Sequence, residues 1–157
     1  MYRFNFRFTF VPSFVAVNHH FKYRRIDIRL KLLESLESIL SDHGQIQQVF
    51  LNLLTNAFAA VEDGGIITIT TENHKGGGVI ISVSDNGCGI PEGIIENIFD
   101  PFFSTKKKQG TGLGLSITYG IINKLGGQIN VESTEGEGAV FTVALPAEFD
   151  SDMEPEK

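Results

Sequence analysis

The sequence predicts an α/β sandwich, one mixed sheet covered on one face by helices, and three observations carry that expectation. A long segment after Asp42 repeats apolar residues at helical spacing, several short segments alternate with the period of a strand, and four of these fall into two adjacent hairpin-like pairs. With 157 residues and 13 phenylalanines, the chain is long enough to fill one core and too short for two ordinary domains.

The elements follow in order. From Tyr2 to Phe10 every second residue is aromatic, as in a half-buried strand, and Pro12 and Ser13 end it. Ser13 can cap a short helix from about Phe14 to Tyr23, after which Ile26, Ile28 and Leu30 alternate as a strand. The stretch from Leu32 to Ser41 reads equally as helix or loop. Asp42 then stands where an N-cap belongs, and Ile46, Val49, Phe50, Leu53, Leu54, Ala57 and Val61 mark the buried stripe of a helix that Gly64 and Gly65 stop. Strands Ile66 to Thr71 and Val79 to Asp85 are joined by the turn-rich HKGGG. The stretch from Asn86 to Gly112 is irregular, with one short helical candidate after Pro91. A helix from about Leu113 to Leu125 ends at Gly126 and Gly127, and strands Gln128 to Ser133 and Ala139 to Leu145 close the domain before the polar tail DSDMEPEK.

A net charge of -6 excludes a broad phosphate-binding surface for nucleic acid, so an anionic ligand has to be held locally. The single cysteine, Cys88, cannot form an internal disulfide, and no apolar run approaches the ~18 residues of a membrane span. Arg3, Asn5 and Arg7 interrupt any signal-like apolar block. A cytoplasmic setting without membrane contact by this domain is expected, whether or not a parent protein is membrane-anchored.

Four features point to chemistry. Gln45, Gln48, Asn52 and Asn56 form a polar stripe beside the apolar one on the long helix, with Asn52 and Asn56 four apart on one face. An amide oxygen is a neutral hard ligand suited to Mg²⁺ beside phosphate oxygens, although two asparagines alone read first as partly solvated amides. Asp85 ends a row otherwise made of Val79, Ile81 and Val83, where a carboxylate needs donors, such as those of a ligand. Gly87 and Gly89 follow in DNGCGIP; a flat ring could lie against such a backbone, and taken alone the motif equally describes a tight Asx-capped turn. KKKQGTGLGLS places Lys106 to Lys108 and Gly110, Gly112 and Gly114 at a helix start, where free N–H groups can cradle phosphate, but it lacks the GK[ST] of a P-loop. Between the glycine segments, IFDPFFSTK carries Phe99, Phe102 and Phe103 without regular period, which suggests a lid anchored by phenylalanines.

With these pieces in order, the chain resembles the catalytic and ATP-binding domain of sensor histidine kinases, in the superfamily that includes type II topoisomerase and chaperone ATPases. The resemblance covers about Ile26 to Pro146 and consists of DHGQIQQVFLNLLTNAFAAV as the asparagine box, DNGCGIP and GTGLGLS as glycine boxes, and IFDPFFSTK as the phenylalanine box. It implies a Bergerat-type two-layer α/β sandwich, a mixed five-stranded sheet under about three helices. On that pattern residues 1–25 are an extension, 26–147 the catalytic domain and 148–157 a flexible acidic tail. The resemblance further implies ATP and Mg²⁺ as ligands, with Asn56 on the metal, Asn52 adjacent, Asp85 accepting from the adenine amine and Gly87, Gly89 and Ile90 lining the base. Phe99, Thr105, Lys106, Gly110, Thr111, Gly112, Leu113, Gly114 and Leu115 complete the implied ATP site. Six residues separate Phe103 from Gly110, a short lid, which makes Lys106 the candidate beside the terminal phosphate and, with Asn52, the implied catalytic pair.

There are departures from the family pattern. Ala59 and Ala60 stand where many members carry a Lys or Arg, and Gly138-Ala139 opens the last strand where a Thr or Ser is common. The aromatic alternation at the amino terminus has no counterpart in the pattern. None of His19, His20, His43 and His74 precedes the acidic residue and proline of the family's acceptor motif. The implied acceptor is therefore a histidine on a separate dimerisation domain, with a response regulator downstream. Rival readings are an ATP hydrolase, disfavoured because Asn52 cannot take a proton from water, a protein-serine kinase of the anti-sigma type, and a non-enzymatic docking module.

Overall fold

The computed structural model describes residues 2–4, 25–104 and 111–148. Strands are β1 (Tyr2–Phe4), β2 (Asp27–Leu32), β3 (Ile39–Ser41), β4 (Ile66–Asn73), β5 (Val79–Asp85), β6 (Gln128–Thr134) and β7 (Gly138–Leu145). Helices are α1 (His43–Ala60) and α2 (Gly114–Lys124), with a 3₁₀ helix over Glu92–Asn97.

α1 forms where the spacing places it. The Asp42 carboxylate accepts the Gln45 N–H at 3.0 Å, which satisfies one of the first-turn donors. Ile46, Val49, Phe50, Leu53, Leu54, Ala57 and Phe58 are buried, and Val61 closes the stripe. These side chains lie over a five-stranded sheet of order β2-β4-β5-β7-β6, parallel between β2 and β4 and antiparallel elsewhere. The parallel pair follows from topology, because α1 is the crossover between β2 and β4. In β5 the residues Val79, Ile81, Val83 and Asp85 are buried and those between are half-buried, so one face meets the helices and the other is more open. On that open face the Ser82 and Thr142 hydroxyls pair at 3.3 Å across β5 and β7. This is the mixed five-stranded sheet of the expectation, with two α-helices and one 3₁₀ helix among the described residues.

The 33–41 stretch is resolved in favour of turn and strand. The Leu33 N–H donates to Thr71 Oγ1 (2.9 Å), the Glu37 N–H to Asn73 Oδ1 (2.8 Å), and Gly78 N–H to Glu37 Oε2 (2.8 Å). Side chains from the far end of β4 thus take up the donors that a helix would have used. β3 pairs antiparallel with β1 in a separate two-stranded sheet, and Leu40 N–H donates to the Ala147 carbonyl at 2.9 Å. The remainder of the expected Tyr2 to Phe10 strand, the helix from Phe14 to Tyr23 and the tail from Phe149 lie outside the described residues.

Phe50 sits at the centre of this packing and is fully buried. Phe50→Ala is expected to lower unfolding free energy by about 3–5 kcal/mol, through lost burial and the cavity left behind. Urea denaturation with an unchanged m-value is the check; a loss comparable to that at a surface position would place Phe50 outside the core.

Candidate nucleotide site

Along α1 the residues Gln48, Asn52, Asn56 and Ala60 follow at four-residue intervals and share one face. Both ends of this row are tied to other elements. Gln48 Nε2 donates to Asn52 Oδ1 at 2.8 Å, and Asn52 Nδ2 donates to the Gly114 carbonyl (3.0 Å) and to Thr118 Oγ1 (3.1 Å) at the start of α2. At the other end, the Ala60 carbonyl accepts the Cys88 N–H at 3.1 Å from the turn after β5. Eight residues of helix separate Asn52 from Ala60, a distance of about 12 Å at 1.5 Å per residue. Asn56 lies midway between the two ties.

Asp85 terminates β5 with 8% exposure, its backbone in register with Ile67 on one side and Ala139 on the other. Its Oδ1 accepts the Gly87 N–H at 2.8 Å, so the motif is an Asx-type turn and a buried carboxylate at once. Asn86 Oδ1 accepts the Ile66 N–H at 2.7 Å. Ser133 Oγ accepts the Ile90 N–H (2.8 Å) and donates to the Gly138 carbonyl (2.7 Å), while Gly136 N–H donates to the Cys88 carbonyl (2.7 Å). The glycines are required by these ties. A Cβ at Gly87 would collide with the Ala60 carbonyl, and one at Gly89, where φ is +66°, with that of Thr134. They make room first for the chain's own backbone, which the ring-stacking expectation left out.

α2 begins without a side-chain cap: Leu113 holds the N-cap position and makes no capping bond, and the Ile117 N–H already reaches the Leu113 carbonyl at 2.9 Å. Leu113 therefore takes up none of the first-turn donors of α2 with its side chain, and such donors at the positive end of the dipole suit an anion. Gly112, at φ +67°, packs on the backbone of Phe102, where a Cβ would come within 2.9 Å of the Phe102 Cα. Phe99 stacks at 5.4 Å on Tyr119 and Phe103 is half-buried, whereas Phe102 is 77% exposed at φ +65°. Two of the three phenylalanines thus hold the segment down and the third does not. Thr111 is exposed, and Leu113, Gly114 and Leu115 are half-buried at the start of α2. Thr105, Lys106 and Gly110 lie outside the described residues.

The structure brings Asn52 and Gly114 together across two helices, and ties the turn of Asp85, Gly87 and Gly89 to the far end of α1. Thr118 and Ser133 were missed. Thr118 is one of several polar residues on its helix and Ser133 one of several on its strand, and neither carries a local signal of its role. An open groove of about 600 Å³, between the 3₁₀ helix and edge strand β6, shares Ile90 and Ser133 with the turn after β5 and is otherwise lined by Val131 and by Glu92, Glu132 and Glu135 among others. Those carboxylates would repel phosphates, and none of Asn52, Asn56 and Asp85 reaches the groove. Among the described residues no group of three or more His, Cys, Asp or Glu side chains could hold a metal ion, and no helix is long and apolar enough to cross a membrane.

The family model for histidine kinase-, DNA gyrase B- and HSP90-like ATPases matches residues 41–148, a span that holds α1, both glycine turns and the start of α2. The chain belongs to this ATP-binding family and, within it, to the histidine kinase catalytic domains. It is 42% identical over 134 residues to the sensor histidine kinase ZraS of Escherichia coli O157:H7, covering 85% of this chain and 29% of ZraS. It therefore spans under a third of that relative. A solved catalytic domain of histidine kinase ThkA, in a nucleotide-free form, superposes with a TM-score of 0.83 at 36% identity, covering 94% of this chain and 95% of that one. A second ThkA structure, in complex with the response regulator protein TrrA, matches at 33% identity with a TM-score of 0.78, over 93% of this chain and 41% of that one.

Proposed function

We propose that residues 26–147 bind Mg-ATP and transfer its γ-phosphoryl group to a histidine on a separate dimerisation domain, as the catalytic part of a two-component sensor kinase. The observation that carries the reading is the row on α1, held at one end to the uncapped start of α2 and at the other to the Asp85 turn, about 12 Å along the helix. A nucleotide with its base at Asp85 and its phosphates at α2 fits that span.

In this reading Asp85 accepts from the adenine amine, and Gly87, Gly89 and Ile90 border the base. The N–H groups of the segment through Thr111, Gly112, Leu113, Gly114 and Leu115 meet the phosphates, with Gly110 continuing the cradle. Phe99 holds the lid, and Thr105 and Lys106 extend it towards the terminal phosphate. Asn56, between the two ties, would hold Mg²⁺ through its amide oxygen, a neutral hard donor suited to the metal beside phosphate oxygens. When bound, the metal neutralises charge on the phosphates. The protein's share of the reaction is positioning: transfer needs little covalent help, and a neutral imidazole brings its own nucleophile near pH 7. Asn52 cannot act as a base towards water, and its donors are already committed to α2, which favours transfer over hydrolysis.

The partners are the histidine-bearing helical hairpin and a response regulator, the latter supported by the ThkA complex, and the setting is cytoplasmic. Mixed with radiolabelled γ-phosphate ATP and its cognate hairpin, the chain should place an acid-labile, alkali-stable label on the hairpin, and should turn over ATP very slowly alone. Rapid hydrolysis without acceptor, or an acid-stable label, would transfer the assignment to a hydrolase or a serine kinase.

A further inference from the structure

Thr118 is the one fully buried residue with a polar side chain on α2, and it lies outside the set of residues assigned to nucleotide above. Its hydroxyl donates back to the Gly114 carbonyl at 2.9 Å, a bond that serines and threonines in helices often make for no functional reason. Two further bonds set this one apart. The same oxygen accepts from Asn52 Nδ2 at 3.1 Å, and the same amide nitrogen also reaches the Gly114 carbonyl at 3.0 Å. Asn52, Thr118 and the first carbonyl of α2 therefore form a closed three-member ring of hydrogen bonds linking the two helices.

The ring determines which way the Asn52 amide points. A carbonyl can only accept, so the atom of Asn52 facing Gly114 has to be the donor nitrogen, and turning the amide over would set two oxygens against each other. The oxygen then faces Gln48, whose Nε2 donates to it at 2.8 Å. Both polar atoms of the Asn52 side chain are thereby held, the nitrogen by Gly114 and Thr118 and the oxygen by Gln48.

We infer that Thr118 and Gln48 are positioning residues which, through Asn52, set the first turn of α2 against α1 at the place where nucleotide phosphates are received. The inference rests on the nucleotide reading above and deepens it. Neither side chain touches the ligand; both act through the position of the Gly112 to Leu115 backbone. The base end of the site, built on Asp85 and the turn after β5, is tied separately through Ala60 and Ser133 and does not depend on the ring. Loss of the ring should consequently be felt by the phosphates and not by the base.

The test compares binding of Mg-ADP and of adenosine to the 157-residue chain, by calorimetry for the first and ligand-observed NMR for the second. Thr118→Val, which removes the hydroxyl and keeps the shape, should weaken Mg-ADP roughly tenfold, the worth of one buried hydrogen bond, and leave adenosine unchanged. Thr118→Ser restores the hydroxyl and should recover the parent affinity. Gln48→Ala, at an exposed position that puts folding at no risk, should give the same selective loss at roughly threefold. An unaltered Mg-ADP affinity in Thr118→Val and Gln48→Ala overturns the inference while leaving the nucleotide reading in place. So does an equal loss for both ligands, or a Thr118→Ser variant as weak as Thr118→Val. A parent chain that binds neither ligand overturns the nucleotide reading itself, and the inference with it.

Discussion

Asp85→Asn is expected to remove most of the thermal stabilisation that Mg-ATP confers on this chain. Asp85 is 92% shielded at the end of a row of Val79, Ile81 and Val83, and as a carboxylate it can only accept hydrogen bonds. An amide has nearly the same shape but can turn a donor towards the adenine amine, so an attractive contact becomes a clash of donors. Hydrogen bonds to charged groups are worth about 1.5–3 kcal/mol, which corresponds to roughly a tenfold to hundredfold loss of affinity. A ligand at a hundred times its dissociation constant stabilises the fold by about 2.7 kcal/mol, and a hundredfold weaker one by about 0.4 kcal/mol at the same concentration. At about 2–4 °C per kcal/mol for a chain of this size, the midpoint shift would fall from roughly 5–10 °C to about 1 °C. The amide oxygen can still accept the Gly87 N–H, so the turn and the ligand-free midpoint should survive. Unchanged nucleotide affinity in the variant would remove Asp85 from the floor of the site.

Asn56→Ala should abolish phosphoryl transfer while leaving much of the metal-free ADP binding. Alanine is the best helix former, and Asn56 is a half-buried position inside the 18-residue α1, so the helix and both of its ties should persist. What is lost is the amide oxygen proposed to hold Mg²⁺. Charge stabilisation by a metal contributes several kcal/mol to such a reaction, so transfer should fall by on the order of a hundredfold or more. Titrating ADP with and without Mg²⁺ separates the two effects. A variant that loses ADP equally in both conditions has lost α1 rather than a metal ligand.

What the sequence determined by itself was what periodicity can record. α1 was legible because its stripe from Ile46 to Val61 repeats over four turns and Asp42 caps it, and β5 because Val79, Ile81, Val83 and Asp85 alternate with residues that are less buried. The boxes were legible through resemblance: Asn52, Asn56, Asp85, Gly87 and Gly89 stand in the order that the boxes of histidine kinases take, and that likeness, not spacing alone, implied a nucleotide. The tertiary structure decided whatever depends on distant partners. The 33–41 segment carries no period of its own, and it became turn and strand because Thr71, Asn73 and Gly78, about 40 residues away, satisfy its backbone and side chains. Gly87 and Gly89 were explained by carbonyls of Ala60 and Thr134, which sequence order places far from both. Asn52 became a tie between helices only through Gly114 and Thr118, 62 and 66 residues on. Hydrogen bonds of such separation leave no trace in local spacing, because a single donor or acceptor fixes a geometry without requiring any pattern around it.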